Sequence, residues 1–202
     1  MRWWVRARRA HAVLPAALLL FTVLLVVVQN GTAALPSAFT GTQQVALLMF
    51  VPVPVLSALM LCLESRLAAQ EATGIRPVRS LDAALAVATV AACAALALAV
   101  GALIGSIGLT GAGAVARNTA FLTGLMLAVR AVAGQTAIMA PVGWLLAVMF
   151  VGFRAGNDPY PWTVLPEPTS APHAALGAAL MLAAGLAALL LTPPNPRTAE
   201  AR

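Results

Sequence analysis

"TAFLTGLMLAVRAVAGQTAIMAPVGWLLAVMFVGF", Thr119 to Phe153, decides how often this chain crosses a membrane. As one helix its 35 residues would reach about 52 Å at 1.5 Å each. A hydrocarbon core of about 30 Å needs only about twenty residues. Arg130, Gln135 and Pro141 interrupt the run, and a turn near Ala133 to Gln135 divides it. The two halves are a fourth span, about Thr119 to Val132, and a fifth, about Thr136 to Phe153. Four plainer apolar runs surround them: Leu14 to Val28, Val45 to Leu63, Ala83 to Ile107 and Ala174 to Leu191. The sequence therefore predicts an all-α, polytopic membrane helix bundle of about six transmembrane helices, one integral membrane domain over residues 1–202.

Composition agrees. Apolar residues make up 61% and charged residues 9% of the chain, against about a quarter charged in a soluble domain. The net charge of +6 comes from arginine alone, since lysine is absent. The arginines are scattered between apolar runs, so a topology signal accounts for them better than a nucleic-acid partner does. With the N-terminus inside, the inner segments hold Arg2, Arg6, Arg8, Arg9, Arg66, Arg76, Arg79, Arg130, Arg197 and Arg202. The outer segments hold only Arg117 and Arg154. That bias puts both termini in the cytoplasm and the chain in the cell inner (plasma) membrane of a bacterium.

Residues 1–13 pair Trp3 and Trp4 with Arg6, Arg8 and Arg9. Tryptophan favours the headgroup layer and arginine the anionic inner surface, so this segment reads as an interfacial anchor helix. A basic start, an apolar core and small residues near Thr32 to Ala38 also fit a signal peptide, but further spans follow, so the run reads as a retained first helix. Residues 154–173 carry five prolines with Tyr160 and Trp162. That density forbids a long helix, and the aromatics place the segment at the outer interface, as a structured cap or a connector.

Catalytic chemistry is hard to build here. No Asp, Glu or His lies in the middle of an apolar run, where a functional charge would be costly and diagnostic. His11 and His173 stand at run ends, and Ser57 and Ser106 have no base nearby in the sequence. No paired Asp motif or Cys-x-x-Cys is present, and without lysine there is no Walker A loop. Cys62 and Cys93 read as packing residues. The sequence predicts no enzyme, no metal and no cofactor. "FVPVPVL", Phe50 to Leu56, reads as a proline kink in the second span. Gly101 and Gly105 have a small-xxx-small spacing that admits close helix packing.

Between the second and third spans, residues 64–80 crowd charges of both signs: Glu64, Arg66, Glu71, Arg76 and Arg79. "ESRLAAQEA" favours a short helix, Gly74 stops it, and Pro77 follows. Ser80 is placed to cap the third span, with Asp82 in its first turn.

This arrangement resembles the membrane subunits of type-2 ABC permeases. The likeness covers six spans, cytoplasmic ends, an interfacial N-terminal helix and a longer outer segment before the last span. Glu64, Arg66, Glu71, Gly74, Arg76, Pro77 and Arg79 match the general character of the family's coupling loop. The Gly–Thr–Leu–Glu-like core of that loop is replaced here by "ATGIRPVRSL". The resemblance implies an exporter permease that recruits a separate ABC ATPase, pairs with a second copy or a homologous subunit, and moves an amphiphilic or lipid-like substrate. The other expectation is a non-transporting membrane protein: a scaffold, assembly or immunity factor.

Overall fold

Most helices of this chain are apolar on their outer as well as their inner faces, which sets the architecture. In the computed structural model, residues 10–29, 31–37, 41–64, 78–104, 107–154 and 158–192 are described. Helix α1, Ala10–Val28, buries Leu14, Ala17, Phe21 and Leu25 at helical spacing. Its Leu19, Leu20, Val23, Val26 and Val27 are exposed. A helix without a polar face belongs in a bilayer or a large core. After α1 come strands β1, Thr32–Ser37, and β2, Gly41–Ala46, then α2, Val53–Leu63, α3, Val78–Leu103, and α4, Gly108–Ala133. Helix α5, Ala140–Val151, and helix α6, Pro172–Leu191, complete the order. Helices α1, α3 and α6 and the helical run Gly108–Val151 are long and apolar enough to cross a membrane.

The chain runs back and forth, so successive helix ends alternate. Ala10 and Leu14 pack with Cys62, Arg130 donates to the Leu63 carbonyl at 2.7 Å, and Arg79 to that of Leu190 at 3.2 Å. These contacts gather the start of α1, the end of α2, the start of α3 and the ends of α4 and α6 at one end, the loop end. The opposite end carries the proline-rich segment and is the cap end.

Helix α2 sits deepest. Leu56, Leu59, Met60 and Leu63 join the core shared with α4, α5 and α6, whereas Val55 and Ala58 join the one shared with α1 and α3. Helix α4 is the central long helix. Ala112 and Val115 face one core, and Phe121, Leu122, Met126 and Leu127 the other.

Several expectations need correction. Val45 to Leu63 is not one helix: β2 extends to Ala46, a 3-10 turn covers Leu47–Phe50, and α2 begins at Val53. Pro52 and Pro54 therefore start a helix instead of kinking one, because a proline without an N–H costs nothing in a first turn. The stretch before them forms an antiparallel hairpin, paired from Thr32↔Ala46 to Ser37↔Gly41. The third run begins earlier, at Val78, so Ser80 lies inside the first turn instead of capping it, and Asp82 lies beyond that turn, buried. The fourth run begins at Gly108, eleven residues before Thr119. The division between α4 and α5 falls where expected. Gly134 adopts φ 63°, a value open to glycine at little cost, and a 3-10 turn, Gly134–Met139, leads into α5 with Pro141 near its start.

The tightest packing joins α4 to α6. A Cβ placed on Gly124 would overlap the Met181 carbonyl and come within 2.5 Å of the Leu182 nitrogen. One on Gly185 would overlap the Gly124 carbonyl and lie 2.8 Å from its Cα. The two backbones touch here, and no side chain stands between them to move aside. Gly124→Leu is expected to destabilise the fold by about 3 kcal/mol, the upper end for overpacking. Gly143→Ala, in α5 with nothing within 4 Å of the new carbon, is expected to raise stability by about 0.5–1 kcal/mol. Helical circular dichroism against temperature in detergent separates the two.

Candidate functional site

At the cap end, Arg117 and Asn118 on α4 hold the segment that leads into α6. Arg117 Nη1 donates to the Pro168 carbonyl at 3.0 Å, and Nη2 to the carbonyls of Leu165 at 3.0 Å and Glu167 at 2.7 Å. Asn118 Nδ2 also donates to the Leu165 carbonyl, at 3.3 Å, and its Oδ1 accepts from Arg117 Nε at 3.4 Å. A planar guanidinium suits this task because its donors lie in a fixed fork. The Glu167 carboxylate lies 3.6 Å from His173 Nε2 in the first turn of α6.

The clamped strap is bent sharply. Val164 has φ 49°, and the Leu165 amide donates back to the Thr163 carbonyl across it. A left-handed γ-turn at a β-branched residue is strained, so the surrounding bonds must hold it. Thr163 supplies more of them, with Oγ1 donating to the Tyr160 carbonyl at 2.6 Å. An aromatic series then ties the strap to the helices. Tyr160 stacks on Trp162, Trp162 meets Trp144 of α5 edge-on at 5.9 Å, and Trp144 leans on Phe121 of α4 at 5.3 Å. The Arg154 guanidinium lies 4.6 Å from the centre of the Tyr160 ring.

At the loop end, the described part of the expected docking segment is its two edges. Glu64 is the first residue after α2, and its amide donates to the Met60 carbonyl at 3.1 Å. Arg79 lies in the first turn of α3 and reaches the end of α6. Arg66, Glu71, Gly74, Arg76 and Pro77 lie outside the described residues, as do Trp3, Trp4, Arg6, Arg8 and Arg9. The segment thus leaves α2 beside α4, through Arg130 and Leu63, and enters α3 beside α6, through Arg79 and Leu190.

Five hydroxyls within the helices are turned on their own backbone. Thr22, Ser57, Thr89, Thr119 and Thr123 each donate to the carbonyl four residues earlier. Hydroxyls satisfied in this way present no donor to a substrate. Among the described residues no three His, Cys, Asp or Glu side chains come together as a metal site. Cys62 and Cys93 are buried and lie in different clusters.

Sequence reading missed the clamp. Arg117 counted there only as an outward charge, and nothing in "ARNTAF" announces that its target lies some fifty residues on. Of residues 154–173, read as a cap or a connector, the described part is held by these bonds and rings.

Helices clad in apolar side chains, with arginines at their ends, define a helical membrane protein. Comparisons with protein families, curated proteins and solved structures find no match to this chain.

The clamp has a direct test. Arg117→Lys keeps the charge but loses the fork, and each lost hydrogen bond is worth about 1 kcal/mol net. Loss of one or two raises the population of open strap about five- to thirtyfold. Faster proteolytic nicking between Asp158 and Ala171 is the expected readout. Arg154→Lys, which keeps a cation for the Tyr160 ring, is expected to change it much less.

Proposed function

We propose that this chain is the membrane-spanning permease subunit of an ABC-type exporter in the bacterial inner (plasma) membrane. It crosses the bilayer six times with both termini in the cytoplasm, and works with a second permease copy or a homologous subunit. A separate ABC ATPase docks on residues 64–80 and hydrolyses the ATP. The substrate is amphiphilic or lipid-like, in keeping with spans in which Thr22, Ser57, Thr89, Thr119 and Thr123 bond their own backbone.

One observation supports this reading above the others. Each edge of the 64–80 segment is fastened by an arginine to the end of a different helix: Leu63 to α4 by Arg130, and Arg79 to α6. Helices α4 and α6 are the pair in backbone contact at Gly124 and Gly185. A push on the segment would therefore move a stiff two-helix unit instead of being lost in a hinge. At its far end that unit carries the strap held by Arg117, so the same displacement would shift the cap.

Co-purification tests the proposal. The tagged chain should bring an ABC ATPase with it in mild detergent. The double variant Glu71→Arg with Arg76→Glu should lose that ATPase and transport while inserting normally, because loop charges govern docking and apolar runs govern insertion. Full transport and full ATPase recovery in the double variant would make the segment a plain connector and leave a scaffold role. The topology is checked separately. With Cys62 and Cys93 buried, Thr73→Cys should react with an impermeant maleimide only from the cytoplasmic side, and exposed Ser170→Cys only from outside. Labelling of both from one side would overturn the six spans.

A further inference from the structure

The strap between α5 and α6 covers more donors than it satisfies. Arg117 and Asn118 direct theirs at the carbonyls of Leu165, Glu167 and Pro168. One helical turn further along α4, about 5.4 Å inward, Phe121 supports Trp144. The Trp144 Nε1 atom is buried and has no acceptor among the described residues, although Trp162 of the strap lies edge-on against the same indole. A buried indole N–H normally finds a partner, so this one marks a place that an acceptor can fill. The strap also carries its own anion. The Glu167 carboxylate lies 3.6 Å from His173 Nε2 and within electrostatic reach of Arg117.

We propose that Glu167 and the three strap carbonyls stand in for the headgroup of an anionic phospholipid, and that the strap is the removable cover of its site. Phosphate oxygens replace the carbonyls on the same donors, and charge-assisted hydrogen bonds are about twice as strong as neutral ones. The ester carbonyl, one glycerol link below the phosphate, meets Trp144 Nε1. The acyl chains continue along the apolar cluster of Leu122, Leu145 and Val148. Two features ease release of the strap. Lifting it relaxes the left-handed turn at Val164, and its bed is smooth. A Cβ on Gly113 of α4 would lie 3.5 Å from Thr169 Cγ2, and one on Gly177 of α6 3.3 Å from Val164 Cγ2, so at these points no side chain interlocks with the strap. Glu167 leaves with the strap, which takes its carboxylate away from Arg117 and His173. The inference deepens the permease reading by giving its substrate a charge, yet binding needs no ATPase, so either can fail alone.

Fastening the strap tests this on the full chain. Gly113→Cys with Thr169→Cys places two thiols within disulfide reach, while Cys62 and Cys93 are buried elsewhere. The oxidised and reduced forms of this variant are equilibrated with equimolar phosphatidylglycerol and phosphatidylcholine of identical acyl composition. Native mass spectrometry then reads the ratio of the two lipids retained. The phosphatidylglycerol ratio should be about fivefold higher in the reduced form, the effect of one part-exposed ion pair. Comparing two redox forms of one chain cancels the general attraction of its arginines for anionic lipid. In the otherwise unaltered chain, Glu167→Gln should raise the ratio, and Trp144→Phe should lower retention of both lipids. Excess inorganic phosphate, which lacks acyl chains, should displace neither. Helical circular dichroism verifies each fold. If the first pair does not fold, Val164→Cys with Gly177→Cys fastens the strap to α6 instead. Equal ratios in the two redox forms, a ratio not raised by Glu167→Gln, unchanged retention in Trp144→Phe, or displacement by inorganic phosphate overturns the proposal.

Discussion

The contact of Gly124 with Gly185 places two helix axes as close as backbones permit, and most of the molecule is arranged around that contact. In a lipid environment apolar burial adds little between helices, because acyl chains are as apolar as leucine, and close packing of small residues does the work instead. Helix α4 then serves as the axis. It packs on α3 and α6, borders α5, fastens the strap through Arg117 and the end of α2 through Arg130. The strap is covalently continuous with α6, so clamp and glycine contact join the same two elements at two heights. That double attachment keeps α6 in place although Leu176, Leu180 and Leu191 on it are exposed.

Arginine has two uses here that sequence counting merges into one. As a signal, each arginine biases the side on which a loop stays. As a donor, each of the four described arginines is directed at a specific group: Arg79 and Arg130 at helix-terminal carbonyls, Arg117 at three strap carbonyls, Arg154 at a tyrosine ring. Helix ends leave carbonyls without intrahelical partners, and in or near a membrane those carbonyls need a donor that does not depend on water. Arginine with its long stem meets both demands.

Much of the helix content was legible from the apolar runs, because a run of about twenty such residues has few other destinations. The α4–α5 division was legible too, since Arg130, Gln135 and Pro141 interrupt an apolar run too long for one span. The hairpin was not. Thr32 to Ala46 shows no clean alternation, and Pro36 argues against a strand because it lacks an N–H for the ladder. Strand β1 lies against α5, an interaction that the local sequence does not encode. The Gly124–Gly185 contact was also out of reach: in a chain with fifteen glycines, which two meet is a property of the assembled bundle. Asp82, expected in the first turn of α3, lies beyond that turn and is buried, because helix starts are hard to place from sequence to within a turn. Of residues 64–80, expected to dock a partner, only 64 and 78–80 are described.

The shortness of α2 reaches beyond the protein. Its 11 residues rise about 16 Å, and the 3-10 turn before it adds about 8 Å. The 26 residues each of α3 and α4 rise about 39 Å. Above α2 stands a two-stranded hairpin, whose outward N–H and C=O groups need water or headgroups, not hydrocarbon. Placed in a bilayer, the chain therefore imposes two thicknesses on its surroundings, pinched on the α2 flank and stretched beside α3 and α4. Lipids along the pinched flank are compressed at a cost of a fraction of a kcal/mol per ångström, roughly.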